Sequence, residues 1–209
     1  MGREFIIPNT AYYIKGETIF RRKHVVIEPE VTVLVGCNGT GKSTLIREIE
    51  SQLKQNKIKY SYFDNLKDGG ENARSAAGFR EDIAFLATAI CSSEGENIVM
   101  NMANFAEKLG GELSRCKDKE YWILLDAIDS GLSVDNIIEL KDLFYLILET
   151  NKDKDVYIVV SANEYELARN EQCFDVYNCK YITFKNYEDY RDFIIKSRKR
   201  KDKRCKTKD

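Results

Sequence analysis

The sequence predicts an α/β fold in which a mostly parallel sheet is flanked by helices and preceded by a small antiparallel β region. Three observations carry that prediction. Short, almost wholly apolar runs recur at residues 31–35 (VTVLV), 121–126 (YWILLD) and 156–160 (VYIVV), as in strands buried on both faces of a sheet. Helical periodicity fills the intervals between them. The chain has only two prolines, Pro8 and Pro29, both in its first thirty residues, so nothing breaks the later elements.

Taken in order, residues 1–30 are rich in Tyr, Phe, Val and Ile around Gly16 and fit the antiparallel region. A buried strand follows at 31–35. Leu45, Ile46, Ile49 and Leu53 then recur at helical spacing to about Asn56, and residues 59–64 (KYSYFD) read as a second strand. Residues 65–79 are polar and glycine-bearing, a loop long enough to be functional. A helical pattern resumes over 83–90. Another carries Ile98, Met102, Phe105 and Leu109 and is expected to stop at Gly110-Gly111. The strand at 121–126 leads through a turn to a helix over about 134–150 with Ile137, Leu140, Phe144 and Ile147 inward, and then to the strand at 156–160. A short helix, a strand near 181–184 and a last helix over about 187–197 complete the expectation.

With 209 residues, 43% hydrophobic and 32% charged, the chain suits one compact domain rather than a disordered one. Residues 1–195 are expected to form a single domain. The net charge of −1 hides an asymmetry: residues 196–209 hold nine Lys or Arg against two Asp, which reads as a solvated, disordered basic tail or a contact for nucleic acid. No apolar run approaches the ~20 residues needed to span a bilayer, and the N-terminus lacks a secretory pattern. The expectation is a cytoplasmic protein without membrane insertion. Six scattered cysteines without a CxxC pair imply neither zinc nor a disulfide framework.

The chemistry concentrates at residues 36–43 (GCNGTGKS), which match GxxxxGK[ST] between a strand and a helix. The glycines let successive N–H groups turn inward toward a phosphate chain at the positive end of the following helix. Gly36, Asn38, Gly39, Thr40, Gly41, Lys42, Ser43 and Thr44 are therefore the expected nucleotide-binding residues. Lys42 would reach the β- and γ-phosphates of ATP, and the Ser43 hydroxyl would ligate Mg²⁺. Asp126, closing an apolar strand, is the expected acidic metal partner.

Beyond the phosphate motif, residues 36–45 (GCNGTGKSTL) resemble the Walker A sequence of ABC ATPases, including the heads of structural-maintenance-of-chromosomes and RecF-like proteins. Residues 126–132 (DAIDSGL) resemble their Walker B and D-loop, and residues 92–96 (SSEGE) their signature motif. The resemblance implies an ABC ATPase-like P-loop fold. It also implies a homodimer that sandwiches ATP, in which Ser93 and Gly95 of each chain meet the γ-phosphate held by the other. About 28 residues between Asp64 and Ser92 leave no room for a long coiled coil, so the chain resembles the isolated heads of phages and mobile elements. An adenine-stacking aromatic is expected among Tyr12, Tyr13 and Phe20.

The departures from that family bear on turnover. Its catalytic Glu is replaced by Ala127, its switch histidine falls near Asn163, and its D-loop Asp is Ser133. The single histidine, His24, reads as structural. Asp64 or Asn65 would stand in for the Q-loop glutamine, and Asp129, Glu94 or Glu96 would position the attacking water. ATP binding with slow hydrolysis is the expectation, acting on DNA or in defence and serving an unknown protein partner. A P-loop kinase, with Arg74 and Arg80 as lid residues, a non-catalytic ATP-binding module and a transporter ATPase subunit are the other readings.

Overall fold

A computed structural model describes residues 2–7, 19–65 and 94–206. Strand β1 (Arg3–Ile6) pairs antiparallel with β2 (His24–Ile27), Arg3 opposite Ile27, and forms the expected β region ahead of the core. The main sheet holds β3 (Glu30–Val35), β4 (Tyr60–Asp64), β5 (Glu120–Asp126), β6 (Asp155–Ser161), β7 (Cys173–Asp175) and β8 (Lys180–Ile182). Its spatial order is β4-β5-β6-β3-β7-β8, parallel except for β8 at one edge. The central strands are buried along nearly their whole length, which is why they read as unbroken apolar runs instead of alternating ones.

Helix α1 (Lys42–Gln55) covers one face. Its Leu45, Ile46, Ile49 and Leu53 join Leu34, Trp122, Leu124 and Val159 of the sheet, with Phe5 and Val25 of the hairpin beside them. Trp122 stacks on Tyr157 at 4.0 Å and meets the Phe5 ring edge-on. The opposite face buries Val33, Ile123, Ile158 and Val160 under α2 (Glu94–Arg115) and α3 (Val134–Thr150), through Leu109, Leu113, Ile137 and Phe144. A short α4 (Tyr165–Ala168) and a long α5 (Tyr187–Lys206) complete the described helices. None of them is long and apolar enough to cross a membrane.

Two helices run well past their expected ends. Helix α2 runs through Gly110-Gly111 to Arg115. Burial of Leu109 and Leu113 one turn apart outweighs the ~1 kcal/mol that each helical glycine costs. Ser114 Oγ and Arg115 Nε also donate to the Gly110 and Gly111 carbonyls. Helix α5 continues to Lys206, so residues 196–206 of the expected disordered tail are helical. Lys and Arg are good helix formers, and Ser197 is buried against the rest of the protein.

Candidate nucleotide-binding site

The parallel strands end along one edge of the sheet, where the β3–α1 loop, the turn after β5 and the segment after β6 meet. The β3–α1 loop curls back on itself: Thr40 Oγ1 donates to the Cys37 carbonyl at 2.7 Å, and Lys42 Nζ to the Gly36 carbonyl at 2.8 Å. Gly41 has φ +103°, and a methyl group there would meet Ile19 Cγ2 at 2.6 Å, so both backbone and space demand glycine. At Gly36 a methyl would strike Thr40 Oγ1 at 2.5 Å. No side chain caps α1, which leaves the N–H groups of its first turn open to an anion. Burial pulls the Lys42 ammonium below its ordinary pKa, opposed by the charges of Asp129, Cys37 and Asp126.

Asp126 ends β5 and is 3% exposed. Its Oδ1 accepts the Ser43 hydroxyl at 3.0 Å and the Ser161 hydroxyl at 2.7 Å, while the Ala127 N–H donates to Ser161 Oγ at 2.7 Å. Ser43 and Asp126 thus stand together as expected. Ser161 was missed in the sequence; its one signal was a polar residue directly after the run 156–160. The next strand over ends on buried Asp64, in register with Asp126, and buried Asn65 follows it. Asn65 Nδ2 donates to the carbonyls of Ala127 and Ser130, while its buried Oδ1 meets no donor among the described residues.

Asp129 is tied up differently. It is 1% exposed, and its carboxylate accepts the N–H groups of Asn163 at 2.5 Å and Glu164 at 2.8 Å, plus the Asn163 amide at 3.2 Å. Burial raises its pKa, although these hydrogen bonds oppose the shift. Asp129 is therefore a brace between the turn after β5 and the end of β6. Asp129, expected to position the attacking water, thus spends its carboxylate on three donors of the β6 end. Asn163, at the expected switch position, is the other half of that brace. Ala127 sits in left-handed backbone, φ 53°.

The remaining expected residues divide in two. Phe20 is 2% exposed and packs against Gly41 from beneath the loop, so it is core and not an adenine platform. His24 pairs with Glu4 on the exposed hairpin at 2.8 Å. Gly95 lies in the first turn of α2. Tyr12, Tyr13, Arg74, Arg80, Ser93 and the helical pattern at 83–90 lie outside the described residues, as do the side chains of Glu94 and Glu96.

For Mg²⁺ the donor set fits. A hydroxyl and a carboxylate oxygen converge at the loop, and the buried Asn65 Oδ1 beside the same turn has no donor to satisfy it. Ser43 and Asp126 are the residues that would hold the ion.

Among solved structures the chain is similar to the ADP conformation of MJ1267, an ATP-binding cassette of an ABC transporter. The TM-score is 0.52 at 13% identity, covering 95% of this chain and 98% of that one. A nucleotide-free ATP-binding cassette from an ABC transporter gives 0.50 at 14% identity, covering 95% and 99%. At these identities the likeness establishes the fold, an ABC ATPase-like P-loop architecture. No curated protein matches the sequence. Residues 27–170, which span the phosphate loop, the aspartate turn and the brace, match the AAA domain family, and the chain accordingly belongs to that family of P-loop ATPases.

Proposed function

We propose that this protein binds ATP with Mg²⁺ in the β3–α1 loop and hydrolyses it slowly, as an ABC-type head related to the structural-maintenance-of-chromosomes and RecF-like group. The observation that carries the reading is the contact of Ser43 Oγ with Asp126 Oδ1 beside an uncapped α1. In it the loop amides and Lys42 grip the polyphosphate, and Ser43 and Asp126 hold the ion, whose chemistry is to neutralise charge on the phosphate oxygens. Slow turnover follows from Ala127 standing where a general base would be, since losing such a base typically costs about 10²–10⁴ in rate.

The finer part of the reading is an ATP-dependent homodimer in which Ser93 and Gly95 of each chain close over the other's nucleotide. It predicts more dimer with ATP than with ADP in sedimentation velocity, and a Ser93→Arg chain that binds nucleotide but stays monomeric. A role on DNA is supported by the basic residues of α5. Affinity for a DNA duplex should fall steeply with salt, and equal affinity after removal of residues 196–209 would end that part.

The deciding experiment is thermal melting. At a hundredfold over its Kd, ATP–Mg²⁺ adds about 2.7 kcal/mol, roughly 5–10 °C in a chain of this size. Lys42→Ala should lose most of the shift. An unshifted wild-type curve in millimolar ATP and Mg²⁺ would refute the reading.

A further inference from the structure

Helix α5 is more than a continuation of the fold, because its second half is fastened to the outside of the phosphate loop. Its first half is anchored by Tyr190, 4% exposed, whose hydroxyl donates to the Asn163 carbonyl at 2.9 Å. Phe193 and Ile194 pack against the same core. Two turns on, Ser197 Oγ accepts the Cys37 N–H at 3.2 Å, and Ser197 is itself 6% exposed. One turn later Lys201 lies along Gly39, and its Nζ donates to the Asn38 carbonyl at 3.2 Å. The helix therefore has a fixed position relative to residues 37–39, and with it the backbone from which residues 198–200 project.

Arg198 is one of them. It lines a cleft of about 360 Å³ whose opposite walls are Gly36, Cys37, Asn38 and Asn163. Gly36 is the residue whose carbonyl holds Lys42 Nζ, so the cleft shares a wall with the group that accepts the Lys42 ammonium. Arg198 is exposed and forms no hydrogen bond or ion pair among the described residues. Across from it Asn163 is neutral, and its amide nitrogen is already given to Asp129. The cleft thus has one free planar fork of donors, on a helix clamped at two points, beside a loop shaped for anions. A guanidinium in that position matches a phosphate in both charge and bidentate geometry.

We propose that Arg198 is a binding residue for the terminal phosphate of a nucleoside triphosphate, supplied from within the same chain by α5. Ser197 and Lys201 hold the helix in place, and Arg198 reads whether a third phosphate is present. The inference rests on the nucleotide reading above and goes beyond it by naming the group that separates triphosphate from diphosphate.

The test is isothermal titration of the full chain with ATP–Mg²⁺ and, separately, ADP–Mg²⁺ at fixed ionic strength. The set is wild type, Arg198→Ala, Arg198→Lys and Lys199→Ala, the last an exposed cation on the same helix that lines neither cleft beside the loop. Arg198→Ala should weaken ATP about tenfold while ADP changes less than about twofold. Arg198→Lys should fall between, and Lys199→Ala should leave the ATP-to-ADP ratio at the wild-type value. Equal losses for both nucleotides in Arg198→Ala, or none, would overturn the inference while ADP binding keeps the phosphate-loop reading intact. Wild type that binds neither nucleotide would remove both.

Discussion

The phosphate loop and the turn after β5 approach to 3.0 Å at Ser43 and Asp126, yet they use their polar groups in opposite ways. The loop bonds inward only enough to hold its curl, through Thr40 and Lys42, and leaves the opening amides of α1 without a cap. The turn consumes what it has. Asp129 takes three N–H donors, Asn65 takes two of the turn's carbonyls, and Ser161 satisfies both Asp126 and the Ala127 amide. One segment is built to receive a charge from outside, the other to hold a charge still. Two aspartates three residues apart therefore have different work: Asp126 faces the loop, and Asp129 ties two strand ends together.

The sharpest way to break this contrast is to remove the brace. Asp129→Ala strands two backbone amides and a side-chain amide in a buried setting and should cost about 3 kcal/mol in urea unfolding. Lys42→Ala, judged by the same assay without nucleotide, should stay within about 1 kcal/mol, since it removes one hydrogen bond and one desolvated charge. Equal midpoints for the two variants would erase the distinction.

Ala127→Glu tests the turn from the chemical side. The left-handed backbone at this position is already tolerated by a residue with a Cβ, so stability should change little. If a carboxylate there reaches the attacking water, phosphate release should rise by about 10²; a rate equal to wild type would mean that the turn cannot present a base. Asp126→Asn is a smaller perturbation of the fold, about 1 kcal/mol. It should nevertheless abolish the difference between melting with ATP–Mg²⁺ and with ATP in chelator, and a surviving Mg²⁺ dependence would move the metal site elsewhere.

The smallest expected effect is a pH dependence. The folded pKa of Asp129 lies above its ordinary 3.8 because burial disfavours the charge. The contribution is therefore complete below that ordinary value and is lost as pH rises through the folded one. The stability advantage of wild type over Asp129→Asn should accordingly shrink as pH climbs from about 4 toward neutrality. A constant gap across that range would show that Asp129 titrates alike in both states.

Much of this was legible in advance, and the reasons are local. A strand buried on both faces must be apolar throughout, so β3, β5 and β6 were readable from composition alone. The phosphate loop was readable because left-handed backbone at Gly39 and Gly41 admits few residues, and because the Lys-Ser pair opens the next helix. Three-residue β7 is too short to leave a pattern and exists through its pairing with β3.

What the sequence determined by itself, then, was the layered α/β order, the phosphate loop and the aspartate at the end of β5, since each depends on neighbours in the chain. What only the tertiary structure decided was the use of residues whose partners are far away in sequence. The bonds of Asp129 to Asn163 and Glu164, of Ser161 to Asp126, and of Ser197 to Cys37 join segments separated by 34, 35, 35 and 160 positions. A basic stretch such as 196–206 reads as solvated because its composition offers no apolar stripe to bury. It is helical and fastened to the phosphate loop because the protein supplies, at that distance, a buried N–H and a carbonyl for it to bind.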